Sequence, residues 1–473
     1  MIEQLPASLL SALQAALPAP GSVLIGDEAQ EKAVSAWSRM GNPLAVVRPQ
    51  DTAQVSAVLS LCHAAGVPVT PWGGKTGLVH GGFADGHVAL SLERMNAIEE
   101  IDTVGGVMTV QAGCVLQTAA EAAEAQNLLL PIDLGARGSA MIGGVIATNA
   151  GGNRVLRYGM ARDLVLGLEA VLADGTVLSS MNHFIKSNAG YDLKQLFIGT
   201  EGTLGVITRA VLRLRPLPTS QDTAIVGVDD FDGLARLLRH MEKGLAGSLS
   251  AFEVMWREFH DLVTTPPARG RPPLQTGHPY YVLIEAQGQD PAGDSARFEA
   301  LLTEAVEQGL LSDAALAKSQ AERDAMWELR DDISQTARNW PIFTYDVSLR
   351  IGDMDGYVRE LRAALEAEWP GRATLTVFGH LGDGNLHLVV GVGSRDAATK
   401  AAVNRRVYEG IVRRGGSISA EHGIGLEKRE YLGWTRTPEE LQAMLRLKRA
   451  FDPKNILNPG KVLQAADPAH PAS

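Results

Sequence analysis

The sequence predicts an α+β protein of two main domains, the second built around an antiparallel sheet. Three observations support this. The chain has 473 residues, more than one hydrophobic core usually serves. Residues 43–217 form a glycine-rich block of short strands with few helices. Residues 219–430 alternate helical stretches with strands, the pattern of an α+β domain.

In the first block, "NPLAVVRPQDTAQVSAVLSLCHAAGVPVTPWGGKTG" predicts strand, helix, strand and loop. Val55, Val58, Leu59 and Cys62 share one helical face. Asp51 or Thr52 is the expected N-cap. "VLGLEAVLADGTVLSS" predicts a hairpin turning at Asp174-Gly175. "GVITRAVLRLRPLP" sets Leu212 and Leu214 against Arg213 and Arg215, as in a half-buried strand. Pro216 and Pro218 then close the block. In the second, "DFDGLARLLRHMEKGL" and "DSARFEALLTEAVEQG" predict helices, and "YYVLIEA" and "ATLTVFGH" strands. "PPARGRPPLQTGHP" predicts a loop. The expected limits are an N-terminal helical segment 1–42, domains at 43–218 and 219–430, and a C-terminal segment 431–473. That segment has a helix, "PEELQAMLRLKRAFD", then "PKNILNPGKV", and ends on "AADPAHPAS", expected to be disordered.

Composition narrows the function classes. Hydrophobic residues make up 45% and charged residues 21%, as in a soluble globular protein. A formal net charge of -11 argues against nucleic acid as partner. An anionic substrate would need a few local cations. Cys62 and Cys114 are too few for a disulfide framework or a thiolate metal cluster, and both lie in apolar-patterned segments. They are expected to be buried free thiols, which suits a reducing cytoplasm. The apolar run Leu9 to Leu17 lacks the preceding basic residue that a signal peptide would have. No stretch approaches the ~18 apolar residues of a membrane span. A cytoplasmic protein is expected.

"PVTPWGGKTGLVHGG" is the first chemically loaded segment. Gly73, Gly74 and Gly77 let backbone approach a ligand closely, and successive N–H groups can cradle phosphate oxygens. Gly74-Lys75-Thr76 spells the end of a P-loop. Val69 stands where that motif needs its first glycine, and no helix pattern follows. The second segment, "PIDLGARGSAMIGGVIATNAGGNRVLRYGMARD", is too dense in small residues to pack a core alone, and Ser139, Thr148 and Asn149 could hydrogen-bond a large flat ligand. The third, "NAGYDLKQLFIGTEGTLGVIT", has Gly199, Gly202 and Gly205 evenly spaced. None matches the Rossmann fingerprint.

Together the three segments resemble the FAD domain of the vanillyl-alcohol oxidase/p-cresol methylhydroxylase superfamily. The resemblance implies a FAD-binding domain of two α+β subdomains, a substrate (cap) domain with antiparallel sheet, and a C-terminal helical tail. It implies that Gly73, Gly74, Lys75, Thr76 and Gly77 wrap the pyrophosphate, with Leu78 and Val79 close behind. Pro131, Asp133, Leu134, Gly138, Ser139, Gly143, Gly144, Thr148, Asn149, Gly151 and Gly152 would line the flavin. Glu201, Gly202 and Ile207 would contact the adenine-ribose side. Several members bind flavin covalently through a histidine after the paired glycines. Lys75 stands there, so non-covalent FAD is expected; His80 lies further on.

The second constellation is "FGHLGDGNLHLVV" with "GSISAEHGIGLEKR". His380 and His387 flank a Gly-Asp-Gly-Asn turn, which would bring two imidazoles near one spot. Glu421 and His422 lie on a separate glycine-bounded loop. Two histidines and a carboxylate with an open position suit a catalytic zinc or manganese ion. Asp383 would support a ligand or cap the turn. Such a cluster suits oxidation of a 2-hydroxy acid: a cation lowers the pKa of the hydroxyl, an imidazole takes the proton, and hydride leaves C2 for flavin N5.

These motifs, with "FDPKNILNPGK", resemble the D-2-hydroxyglutarate dehydrogenase branch within the D-lactate and glycolate dehydrogenase group, from about Pro43 to Val462. The resemblance implies His380, His387 and Glu421 as metal ligands and His422 as general base. Asn458, with Lys461 as a further candidate, would return to the flavin. In "MWELRDDISQTARNWPIFTYDVSL", a helix then a strand, Arg330 is the expected carboxylate clamp, assisted by Ser334. The alternative for Arg330 is a surface ion pair with Asp331 or Asp332. Two positions depart from the branch: Thr344 replaces a lysine and Val389 an asparagine, both associated with substrate. Arg350 would either restore the charge or be a solvated strand-end residue. D-2-hydroxyglutarate, D-malate, D-lactate and glycolate all stay open. The expected acceptor is an electron-transfer flavoprotein, quinone or cytochrome, and the expected assembly a homodimer. The competing readings are a metal-dependent hydrolase, and a non-catalytic subunit that binds FAD and a partner.

Overall fold

The computed structural model describes residues 4–35 and 38–464; the expected disordered tail lies outside the described residues. Contacts divide the chain into two compact units. The first comprises residues up to Gly152, Met160–Leu217 and the chain from Glu421 onward. The second comprises Asn153–Gly159 and Pro218–Ala420. The observed limits differ from the expected ones in three places. The N-terminal helix Ala7–Ala16 is part of the first unit, because Leu9, Leu13 and Leu17 enter its core beside Val55 and Leu59. Asn153–Gly159 belongs to the second unit, where Arg154 Nε bonds the Glu285 carboxylate at 3.1 Å and the Tyr158 hydroxyl bonds Gln287 Oε1 at 3.1 Å. The chain returns to the first unit at Glu421, not 431.

The first unit holds two main sheets. One has four strands in the order Val23–Leu24, Ala45–Val47, Val88–Ser91, Val69–Trp72; the first pair is antiparallel and the rest parallel. The other is antiparallel, in the order Ile98–Asp102, Val107–Gln111, Val206–Arg213, Val165–Val171, Val177–Ser180. The helix Thr52–Ala65 forms where its apolar spacing places it. Asp51 caps it by accepting from Gln54 N at 2.8 Å, and Gly66 ends it in the left-handed region. The hairpin 165–180 turns at Asp174-Gly175 as expected. Val206–Arg213 is more than half-buried, with six of eight positions buried, because it is the central strand. Cys62 and Cys114 are buried free thiols; burial pushes the Cys62 thiol up to about 12.

The second unit is organised by one antiparallel sheet of seven strands: β1 Ser220–Val228, β2 Leu249–Trp256, β3 Tyr280–Gly288, β4 Asp313–Leu316, β5 Ile342–Ser348, β6 Thr374–His380 and β7 Asn385–Gly391. Their order is β4-β1-β3-β2-β6-β7-β5. The helices Arg257–Thr264 and Gln320–Asp331 cover one face, packing Phe259, Val263, Met326 and Leu329 against Ile225, Met255, Leu283, Phe378 and Val389. Four longer helices, Phe231–Leu245, Pro291–Glu307, Ile351–Glu368 and Ala397–Val412, contact the sheet without entering that cluster. Every position of β2 is buried. A charged side chain in such a strand needs a partner. Among the described residues no helix is long and apolar enough to cross a membrane.

Candidate active site

In the second unit, Glu253 on β2 lies opposite His380 on β6, while His387 on β7 lies opposite both Phe378 on β6 and Asp346 on β5. Directly opposed residues share a sheet face, and so do residues two apart on a strand. Glu253, His380, His387 and Asp346 therefore project to one side. The turn between the histidines is a 3-10 segment, Leu381–Asp383, closed by Gly384 at φ +83°. The two imidazole centroids are 5.3 Å apart and nearly perpendicular. Asp383 is exposed on that turn.

Glu253 is buried, and its carboxylate accepts from Arg330 Nε at 2.8 Å and His380 Nδ1 at 2.8 Å. Burial alone would raise its pKa. The hydrogen bonds from His380 and Arg330, with the Arg330 charge, outweigh it and hold the carboxyl below its usual value. The carboxylate only accepts, so Nδ1 of His380 carries the proton. Arg330 Nη2, a donor, sits 3.3 Å from Nε2, which must then present its lone pair. Arg330 is 2% exposed and also lies over the Phe378 ring at 5.3 Å. It is thus no surface residue, although Asp331 Oδ1 lies 3.6 Å from Nη1.

Asp346 is fully buried and anchors a loop. It accepts from Asn385 Nδ2 at 3.0 Å, Ala420 N at 3.0 Å and Ser419 Oγ at 3.4 Å. Ser417 and Ser348 exchange backbone hydrogen bonds of 2.9 and 3.0 Å just before it. Glu421 and His422 follow Ala420 directly in the chain. Both are half-buried.

Ser334 and Thr344 are exposed; the Ser334 hydroxyl donates to Asp332 Oδ1 at 2.5 Å. Thr344 and Val389, the two departures noted in the sequence, are cross-strand partners on β5 and β7. Val389 is buried in the apolar cluster. Arg350 is exposed at the start of the helix Ile351–Glu368.

In the first unit the three glycine-rich segments meet. A Cβ on Gly74 would lie 1.9 Å from the Ser139 carbonyl oxygen, so the loop after Val69–Trp72 runs in backbone contact with the second segment. Thr148 Oγ1 donates to Gly144 O at 3.0 Å, and Asn149 Oδ1 accepts from Arg162 N at 2.9 Å. These side chains brace the segment. Gly199 N and Glu201 N bond the carbonyls of Ile146 and Ala147 at 3.1 and 2.8 Å, joining the third segment to the second. Glu201 is also a brace: its carboxylate accepts from Ile424 N at 2.7 Å and Gly425 N at 2.9 Å, and burial raises its pKa. Asn458 Nδ2 donates to Gly81 O and Glu201 O at 2.9 and 2.8 Å, tying the tail to the same place. Ile207 is a core residue. Burial lowers the Lys461 ammonium to about 8, with help from Arg429.

The glycine loop suits the phosphates of FAD. Among the described residues, no hydrogen bond engages the backbone N–H groups from Gly73 to Leu78. A Cβ at Gly77, Gly138 or Gly144 would meet open space. A run of unengaged amides in a glycine loop is what a pyrophosphate requires. Lys75 stands at φ +56° and its Nζ donates to Lys32 O at 2.6 Å, so the residue after the paired glycines offers no imidazole for a covalent link. His80 pairs with Glu427 at 2.7 Å. Gly77→Ala, whose added methyl meets open space in the protein, should give folded protein with little bound flavin, measured as the ratio of flavin to protein absorbance. An unchanged ratio would remove this loop from the cofactor site.

The sequence showed the His/His and Glu-His motifs but not Glu253 or Asp346. The available signal was a lone carboxylate inside an apolar strand, "LSAFEVMW", which is costly unless paired.

The fold and the free loop amides define a flavin-binding protein, and the comparisons agree. The chain belongs to the FAD-linked oxidase family: the description "FAD linked oxidases, C-terminal domain" matches residues 217–462, and "FAD binding domain" matches 43–180. It is 40% identical to the mitochondrial D-2-hydroxyglutarate dehydrogenase of Bos taurus, over 98% of this chain and 85% of that protein. It is 39% identical to D-2-hydroxyglutarate dehydrogenase of Xanthomonas citri pv. viticola, over 91% and 92%. The solved structure of p-cresol methylhydroxylase superposes with a TM-score of 0.76 at 16% identity, covering 97% and 96%, which shows the shared fold. A hydrolase whose glycine-rich half is only scaffold does not fit these matches.

Proposed function

We propose that this protein is an FAD-dependent dehydrogenase that oxidises a D-2-hydroxy acid to the 2-oxo acid. The observation that carries the reading is the grouping of buried His380, Arg330 and Glu253 with half-buried His387 on one side of the sheet, in a family whose relatives are named for this oxidation. FAD, held non-covalently by the loop 73–77 and its neighbours, supplies the two-electron acceptor, and a divalent cation, zinc or manganese, supplies a Lewis acid. His380, His387 and Glu421 are its proposed ligands. Arg330 holds the substrate carboxylate, and His422 takes the hydroxyl proton. The anchoring of Ser419 and Ala420 by Asp346 supports this, because Glu421 and His422 then enter from a fixed point. Electrons leave to an electron-transfer flavoprotein or quinone, from a homodimeric enzyme. A cytoplasmic setting is in keeping with the two buried free thiols.

One observation favours a second reading of the substrate. The pairing of Thr344 with Val389 puts neither a cation nor an amide in that row of the sheet. A D-2-hydroxy acid without a distal carboxylate, such as D-lactate, or glycolate then fits better than D-2-hydroxyglutarate.

The test is anaerobic flavin reduction by D-2-hydroxyglutarate, D-malate, D-lactate and glycolate, each against its L form where one exists. Fast bleaching by one D-acid is expected, and the ranking separates the two substrate readings. No bleaching with FAD bound would overturn the 2-hydroxy-acid assignment. Chelator treatment should abolish turnover, and zinc or manganese should restore it. Full activity in protein shown metal-free by elemental analysis would overturn the metal role.

A further inference from the structure

Glu253 sits where two functions meet. One carboxylate oxygen accepts from the Nδ1–H of His380, and the other accepts from Nε of Arg330, both at 2.8 Å. The three side chains are 1%, 5% and 2% exposed for Glu253, His380 and Arg330, so each hydrogen bond is shielded from water. The register fixes the geometry: Glu253 is directly opposite His380 across β2 and β6, and Arg330 reaches them from the last turn of the helix Gln320–Asp331. We infer that Glu253 is a positioning residue that orients the metal ligand His380 and the carboxylate clamp Arg330 through a single carboxylate.

This rests on the proposed roles of His380 and Arg330. The physical content goes further. A histidine that donates Nδ1–H to a carboxylate is locked in one tautomer, with its Nε2 lone pair turned outward and made more basic. An arginine held through Nε keeps both terminal nitrogens in a fixed plane, as bidentate carboxylate binding needs. Glu253 therefore couples the two. Loosening it disturbs metal and substrate together, although it touches neither.

The experiment is E253Q in the FAD-loaded protein. The glutamine is nearly isosteric but offers one oxygen acceptor where the carboxylate offers two. Zinc affinity, measured by competition with a chromophoric chelator, should fall roughly 10- to 100-fold, the usual effect of losing such an outer partner. At saturating zinc, KM for the D-acid that best bleaches the flavin should still rise, while flavin content is unchanged. Unaltered zinc affinity or unaltered KM would overturn the inference. Wild-type protein that binds no zinc would overturn the metal reading instead, leaving Glu253 to be judged by KM and by the tautomer. The tautomer needs no variant of Glu253. In protein labelled with 15N-histidine, with the His380 signals assigned by their loss in His380→Gln, Nδ1 should be protonated and Nε2 bare. The opposite tautomer would overturn the inference even if E253Q fails to fold.

Discussion

Replacing His422 with alanine should leave a yellow protein whose flavin the D-2-hydroxy acid no longer bleaches at a useful rate. The hydroxyl proton of a 2-hydroxy acid is too weakly acidic to leave unaided at neutral pH, and hydride departure from C2 is easy only as that proton goes. A positioned base contributes roughly 100- to 10,000-fold. Anaerobic reduction should slow by about that range. Flavin content should hold, because the anchors flanking His422 are backbone contacts made by others. Asp346 accepts from Ala420 N, and Glu201 accepts from Ile424 N and Gly425 N. Bleaching at the wild-type rate would remove His422 as the base. Loss of flavin would instead show that its side chain supports the fold.

Arg330→Ala should do two kinds of damage at once. Removing the guanidinium leaves Glu253 buried with one hydrogen-bond donor where it had two. Breaking a buried ion pair from one side costs roughly 3–5 kcal/mol. For a unit of this size that lowers the melting temperature by roughly 6–20 °C. The proposed clamp is lost as well, so KM should rise sharply at temperatures where the variant is folded. A fall in melting temperature with KM unchanged would make Arg330 structural only. A change in KM with melting temperature unchanged would mean that the buried pair contributes nothing to stability.

Much of this was legible in the sequence, and the limits have physical reasons. Elements set by local spacing and local caps emerged directly: the helix Thr52–Ala65 with Asp51 before it, and the hairpin 165–180. The glycine segments were legible because a backbone that must touch another backbone tolerates little else, as at Gly74 against Ser139. Glu253 and Asp346 were not. Strand order and loop anchoring set their meaning, since Glu253 and His380 are 127 residues apart in the chain, and Asp346 and Ala420 are 74 apart. No local pattern encodes such pairings. Arg330 was legible as a candidate, but its burial was not, because its partner lies 77 residues away.

The second unit's main stretch, Pro218–Ala420, is inserted into the first, which resumes at Glu421. Ile456 and Leu457 belong to the first unit's core, and Leu457 bridges Val69 beside the glycine loop. A ribosome makes the chain from its N-terminus, and domains generally fold as units during synthesis. Here the flavin-binding half starts before the inserted unit and finishes after it. Its core stays open until Ile456 and Leu457 have emerged, so a nascent or truncated chain ending at residue 420 would carry a complete inserted unit and an incomplete cofactor site. Capture of flavin thus becomes a late checkpoint on synthesis, reached only by chains that already carry Glu421 and His422.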